Sequence, residues 1–83
     1  MPSIAFVTGA DRGLGFALCA ELLKRGWEVY AGQHRPEWPE LQGLQVSMPE
    51  RLHIIPLEVC SSESVQSAAN QVAETTDRID LLI

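Results

Sequence analysis

Thr8-Gly9-Ala10-Asp11-Arg12-Gly13-Leu14-Gly15 is the stretch on which the reading of this chain turns. It follows an apolar run, Ile4-Ala5-Phe6-Val7, and leads into a segment whose apolar residues recur with helical spacing from Leu14 onward. Glycine lets a backbone turn sharply out of a strand and come close to a ligand. Three glycines at a strand-to-helix junction therefore point to a loop wrapped around a phosphate, with the helix N-terminus supplying free N–H groups and a partial positive charge. The first expectation is a nucleotide-binding loop.

Outward from that loop, two alternating periodicities predict an α/β chain. Residues 3–8 are apolar on both alternating faces, as buried parallel strands tend to be. Residues 14–25 predict a helix with an apolar stripe of Leu14, Ala17, Leu18 and Leu22, joined by Cys19 and Leu23. Glu21 and Arg25 sit at i, i+4 on its exposed face, and Gly26 stops it. Residues 28–33 form a second strand. Pro36, Pro39 and Pro49 punctuate the next segment, in which Pro39-Glu40-Leu41 can open a short helix. Residues 52–59 read as a third strand, and Pro56 favours an edge position for it. Ser61 or Ser62 caps a following helix that has Glu63 in its first turn and Val65, Ala68, Ala69, Val72 and Thr76 along one face. Residues 79–83 read as a fourth strand. The pattern predicts part of a Rossmann-type, doubly wound parallel sheet with strand order 3-2-1-4 and helices on both faces.

Composition narrows the function classes. Eighty-three residues allow one small domain at most. Apolar residues make up 46% and mean hydropathy is +0.02, which fits a globular chain and not a disordered one. A net charge of −5 and a pI near 4.8 argue against nucleic acid or an anionic membrane as partner. No apolar run approaches the ~20 residues of a membrane span. Met1-Pro2-Ser3 shows no secretory signal. Cys19 and Cys60 are too few and too far apart for a disulfide framework or zinc site, so both are expected as small core residues. The expected setting is reducing and cytoplasmic. His34 and His53 lack partners at ligand spacing, so no metal site is expected. Ser61, Ser62 and Ser64 read as capping and surface residues, and Trp27 and Trp38 as packing ones.

The loop spacing is Gly-x3-Gly-x-Gly, unlike the Gly-x-Gly-x-x-Gly dinucleotide fingerprint, and no Gly-Lys-Ser/Thr of a P-loop follows. With Phe6-Val7-Thr8-Gly9 and Arg12-Gly13-Leu14-Gly15 it resembles the short-chain dehydrogenase/reductase family, and in particular its carbonyl-reductase-like members. The likeness runs over all 83 residues. It implies that residues 1–83 are the N-terminal part of a single NAD(P)-binding domain whose remainder is absent from this chain. By that resemblance Gly9 makes the turn, Gly13 and Gly15 admit the pyrophosphate and let the helix pack closely, and the Leu14 N–H faces a phosphate oxygen. Thr8 either braces the turn or serves the strand. Asp11 either touches the adenosine ribose or caps the turn. Glu58-Val59 stands where the family has Asp-Val near the adenine; Glu is one methylene longer, and the Val59 N–H remains able to serve.

Charge bears on the choice of cofactor. A domain that selects NAD carries a carboxylate at the end of its second strand, bonded to the ribose hydroxyls. Here Gln33-His34-Arg35 occupies that place, and Arg12 lies inside the glycine loop. A carboxylate repels a 2′-phosphate, whereas arginine offers it a planar fork. NADP(H) is therefore favoured over NAD(H), with Arg12 as lead contact and Arg35 or His34 second.

The resemblance also implies a Tyr-x-x-x-Lys and Ser system for proton exchange on a carbonyl or alcohol substrate. No residue here fits that catalytic role: Tyr30 lies in a strand with His34 four residues on, and Lys24 sits on the first helix. This chain alone is expected to be inactive. The alternative is a stand-alone, non-catalytic nucleotide-binding or interaction module. The native mass separates the two, and the family's full-length form implies a homo-oligomer. Substrate and reaction direction are not legible in these residues.

Overall fold

Alternation along the strands sorts the core onto the two faces of one sheet. The computed structural model describes residues 3–83; Met1 and Pro2, included in the expected domain, lie outside the described residues. Its elements are β1 (Ile4–Val7), α1 (Gly13–Lys24), β2 (Glu28–Gln33), α2 (Glu40–Ser47), β3 (Leu52–Pro56), α3 (Ser62–Thr75) and β4 (Leu81–Leu82). All pairings are parallel, in the order β3-β2-β1-β4, with Ile4 opposite Glu28, Val29 opposite Leu52 and Ala5 opposite Leu81. This is part of a Rossmann-like fold, as the sequence predicts.

Successive side chains point to opposite sheet faces. Val7, Val29 and Ala31 pack with Cys19 and Leu23 of α1, Leu41 of α2 and Leu52. Ile4, Phe6, Tyr30 and Ile55 pack with Ala68 and Val72 of α3 on the other side. Burial pushes the Cys19 thiol up to about 12, the behaviour of an inert core residue. Cys60 is exposed, contrary to expectation, because it follows β3 in the loop that leaves the sheet.

Three strands and two helix faces differ from the sequence reading. β3 stops at Pro56, not residue 59, because its neighbour β2 ends at Gln33; the last ladder bond runs from the Leu57 N–H to the Gln33 carbonyl at 2.9 Å. β1 begins at Ile4 and ends at Val7, although the Thr8 N–H still reaches the Ile83 carbonyl at 2.7 Å. β4 is confined to Leu81–Leu82, since its first ladder bond is from the Asp80 N–H to the Ile4 carbonyl. Asp80 also accepts the Ile4 N–H at 2.8 Å, and that bond, aided by Arg78, holds its carboxyl below the ordinary range.

In α1 the buried line is Cys19 and Leu23, with Phe16 and Leu22 half-buried, while Leu14 and Ala17 face outward. Gly15 lies against the Gly9 carbonyl, and that contact sets the rotation of the helix about its axis. In α3 only Ala68 and Val72 are buried; Val65 and Ala69 are exposed and Thr76 lies beyond the last turn. Among the described residues no helix is long and apolar enough to cross a membrane.

Candidate functional site

The loop between β1 and α1 is held by backbone geometry that only glycine accepts cheaply. Gly9 and Gly13 have φ of 59° and 62°, the left-handed region that costs other residues about 1–2 kcal/mol. At Gly15 the constraint is close approach: a Cβ there would run into the carbonyl of Gly9 and come within 3.2 Å of the Ala10 Cα. The loop is tied back to β2 by the Ala10 N–H, which donates to the Gly32 carbonyl at 3.0 Å.

Asp11 makes the second tie. Its buried carboxylate accepts the backbone N–H of His34 at 2.9 Å and of Arg35 at 2.7 Å, both through Oδ2. The glycine loop and the loop after β2 are thereby fastened into one wall. Thr8 points elsewhere: its hydroxyl donates to the Ile83 carbonyl at 2.9 Å, bracing β4 and not the glycine turn.

The N-terminus of α1 is left open. Arg12 is the N-cap residue and provides no side-chain cap, and the first turn contains no acid. The first bond of the helix is from the Phe16 N–H to the Arg12 carbonyl at 3.4 Å. The N–H groups of Gly13, Leu14 and Gly15 therefore precede any intrahelical partner. Such a terminus favours an anion through both its donors and its dipole.

A cleft of about 680 Å³ lies above this end of the sheet, within the size range of small-ligand sites. All ten residues singled out from the sequence line it: Gly9, Asp11, Arg12, Gly13, Leu14 and Gly15 from the first loop, His34 and Arg35 from the second, Glu58 and Val59 from the third. Three loops at the carboxyl ends of β1, β2 and β3 thus converge, which is where ligands bind in open α/β sheets. Glu58 has its own N–H bonded to the Ser64 Oγ at 2.7 Å, and the Val59 N–H has no hydrogen-bond partner among the described residues. Gln33 does not reach the cleft; it is buried and exchanges amide contacts with Gln42 at 3.4 Å.

The structure adds Trp38, Leu57 and Cys60 to the lining. Trp38 sits beside the guanidinium groups of Arg12 and Arg35. Its one sequence signal is its place in the loop after β2, three residues beyond Arg35. Tyr30 does not line the cleft; its hydroxyl is bonded to the Thr75 Oγ1 at 2.7 Å, and its ring stacks on His53 on the α3 side of the sheet. His53 is paired with Glu28 at 2.7 Å. No cluster of potential metal ligands occurs among the described residues.

The family model for short chain dehydrogenases matches residues 3–83. An uncharacterized oxidoreductase of Schizosaccharomyces pombe is 40% identical over 81 residues, an alignment that covers 95% of this chain and 32% of that protein. A short-chain dehydrogenase from Streptomyces avermitilis superposes with a TM-score of 0.90 at 29% identity, over 99% of this chain and 30% of that one. A carbonyl reductase from Pseudomonas aeruginosa, solved in complex with NADP, superposes with a TM-score of 0.88 at 31% identity, over 96% of this chain and 36% of that one. The chain thus spans about a third of the length of these proteins.

Proposed function

This chain belongs to the short-chain dehydrogenase family, and on that premise we propose that it forms the cofactor-binding part of an NADP(H)-dependent oxidoreductase of carbonyl or alcohol substrates. One observation carries the cofactor choice. Arg12 and Arg35 both line the cleft, while the end of β2, where an NAD-selecting carboxylate belongs, holds the buried amide of Gln33.

The residues present fit a dinucleotide. The open N-terminus of α1 receives the pyrophosphate on the N–H groups that precede its first helical bond. The missing side chain of Gly15 brings the helix close against the loop beneath that phosphate. Arg12, with Arg35 and His34, faces the 2′-phosphate. Val59 presents its N–H on the adenine side. Once bound, the nicotinamide cofactor supplies hydride chemistry, and this part of the chain binds and orients it. A carbonyl reductase solved with NADP is among the structures similar to this chain and supports the reading.

Titration of NADPH and NADH onto the protein tests it. NADPH is expected to bind at least about tenfold more tightly, the gain of one charge-assisted hydrogen bond. Arg12→Gln should erase most of that difference by weakening NADPH roughly eightfold and leaving NADH within about twofold. Equal affinities in the unmodified protein, or tighter NADH, overturn the assignment. The Tyr-x-x-x-Lys pair that the family resemblance implies does not form at the cleft among the described residues, because Tyr30 is buried with its hydroxyl engaged and Lys24 stands exposed on α1. With NADPH and assorted ketones or aldehydes, the 83-residue polypeptide should show no turnover above buffer. Measurable reduction by the pure polypeptide contradicts this.

A further inference from the structure

Trp38 lies half-buried in the loop between β2 and α2, with the guanidinium carbon of Arg12 5.0 Å from its ring centroid and that of Arg35 5.9 Å away. Both distances are inside the ~6 Å over which a cation is drawn to an indole face. Neither guanidinium takes part in an ion pair among the described residues, where the arginine pairs are Arg25–Glu21 and Arg78–Asp80. The two arginines come from different loops, twenty-three positions apart, and meet at one ring because Asp11 binds the backbone of His34 and Arg35.

We propose that Trp38 is a positioning residue for cofactor discrimination: its indole holds Arg12 and Arg35 converged on the place of the 2′-phosphate before the cofactor arrives. The inference rests on the NADP(H) reading. A guanidinium held beside an aromatic ring is engaged by the ring's quadrupole and spends no hydrogen bond on it, so its N–H donors remain free to form a fork with phosphate oxygens. Two long, flexible side chains otherwise lose rotamer freedom when they close on a ligand, and that cost weakens binding. The ring meets part of it in advance.

The test compares two ligands that differ only in the 2′-phosphate, adenosine 2′,5′-bisphosphate and adenosine 5′-monophosphate, by calorimetric titration of the protein and of Trp38→Leu and Trp38→Phe. Trp38→Leu should weaken the bisphosphate roughly fivefold and leave the monophosphate within about twofold, and Trp38→Phe, which keeps an aromatic face, should recover most of the loss. Equal losses for both ligands mean that the ring stacks on the base or only braces the loop, and overturn the proposal. No loss in Trp38→Leu overturns it too. If the unmodified protein binds the two ligands equally, the NADP(H) reading fails and takes this inference with it. If the protein discriminates and Trp38→Leu discriminates as well, the role of Trp38 alone is lost.

Discussion

The first turns of α1 and α3 each follow a strand at the carboxyl end of the sheet, yet they deal with their free N–H groups in opposite ways. In α3 the chain satisfies itself. The Ser61 Oγ accepts the Ser64 N–H at 3.2 Å, Glu63 lies in the first turn, and the Ser64 Oγ accepts the Glu58 N–H. In α1 the N-cap residue is Arg12, which provides no cap, and no acid stands in the first turn. Forgoing a cap costs about 1 kcal/mol, and a cation at the positive end of a helix dipole is unfavourable by a few tenths more. The free protein accepts both costs at α1 alone, and a bound anion relieves both. Of two junctions built on one plan, α3 is closed by its own side chains and α1 is left open.

The largest expected effect comes from breaking the open junction. Gly15→Val sets a branched side chain against the carbonyl of Gly9, backbone that cannot swing aside, and should destabilise the fold by about 3 kcal/mol. Urea denaturation measures it, and a loss under about 0.5 kcal/mol means that the close approach constrains nothing. A smaller effect is expected from Asp11→Ala, which removes the acceptor of two backbone N–H groups and so costs about 2 kcal/mol. It should also weaken NADPH, because the two arginine-bearing loops are no longer fastened together. Stability lost with affinity retained separates the loop tie from the site. Ser61→Ala is the smallest and sharpens the contrast: about 1 kcal/mol of stability goes, with NADPH affinity unchanged. A large affinity loss in this variant dissolves the distinction between the two helix ends.

Much of this was legible along the chain because periodicity and turn chemistry are local. The bounds of β2, a serine cap at Ser61 or Ser62, the edge position of β3 and the glycine loop each follow from a few neighbouring residues, and the structure places the cap at Ser61. What misled was orientation. Leu14 and Ala17 belong to the helical period of α1, yet they face outward because the contact of Gly15 with Gly9 in the preceding loop sets the rotation of that helix. Cys60 reads as a core residue by type, but a strand cannot continue past the end of its neighbour, and the chain has left the sheet by then. Trp38 carried no motif at all. Its meaning depends on two arginines brought to it by a carboxylate from another loop.

The sequence by itself determined the order of strands and helices, the glycine-rich loop and the lack of a carboxylate in Gln33-His34-Arg35. These are properties of residue type and spacing, and no distant contact is needed to read them. Only the tertiary structure decided which face of α1 is buried, that Asp11 serves as the tie between two loops, and that Trp38 stands beside both arginines. The Asp11 tie and the Arg12–Trp38 pair depend on groups 20 or more positions apart, and the rotation of α1 on Gly15 meeting Gly9 across the turn. Chain spacing carries no record of such meetings; packing and buried hydrogen bonds alone bring them about.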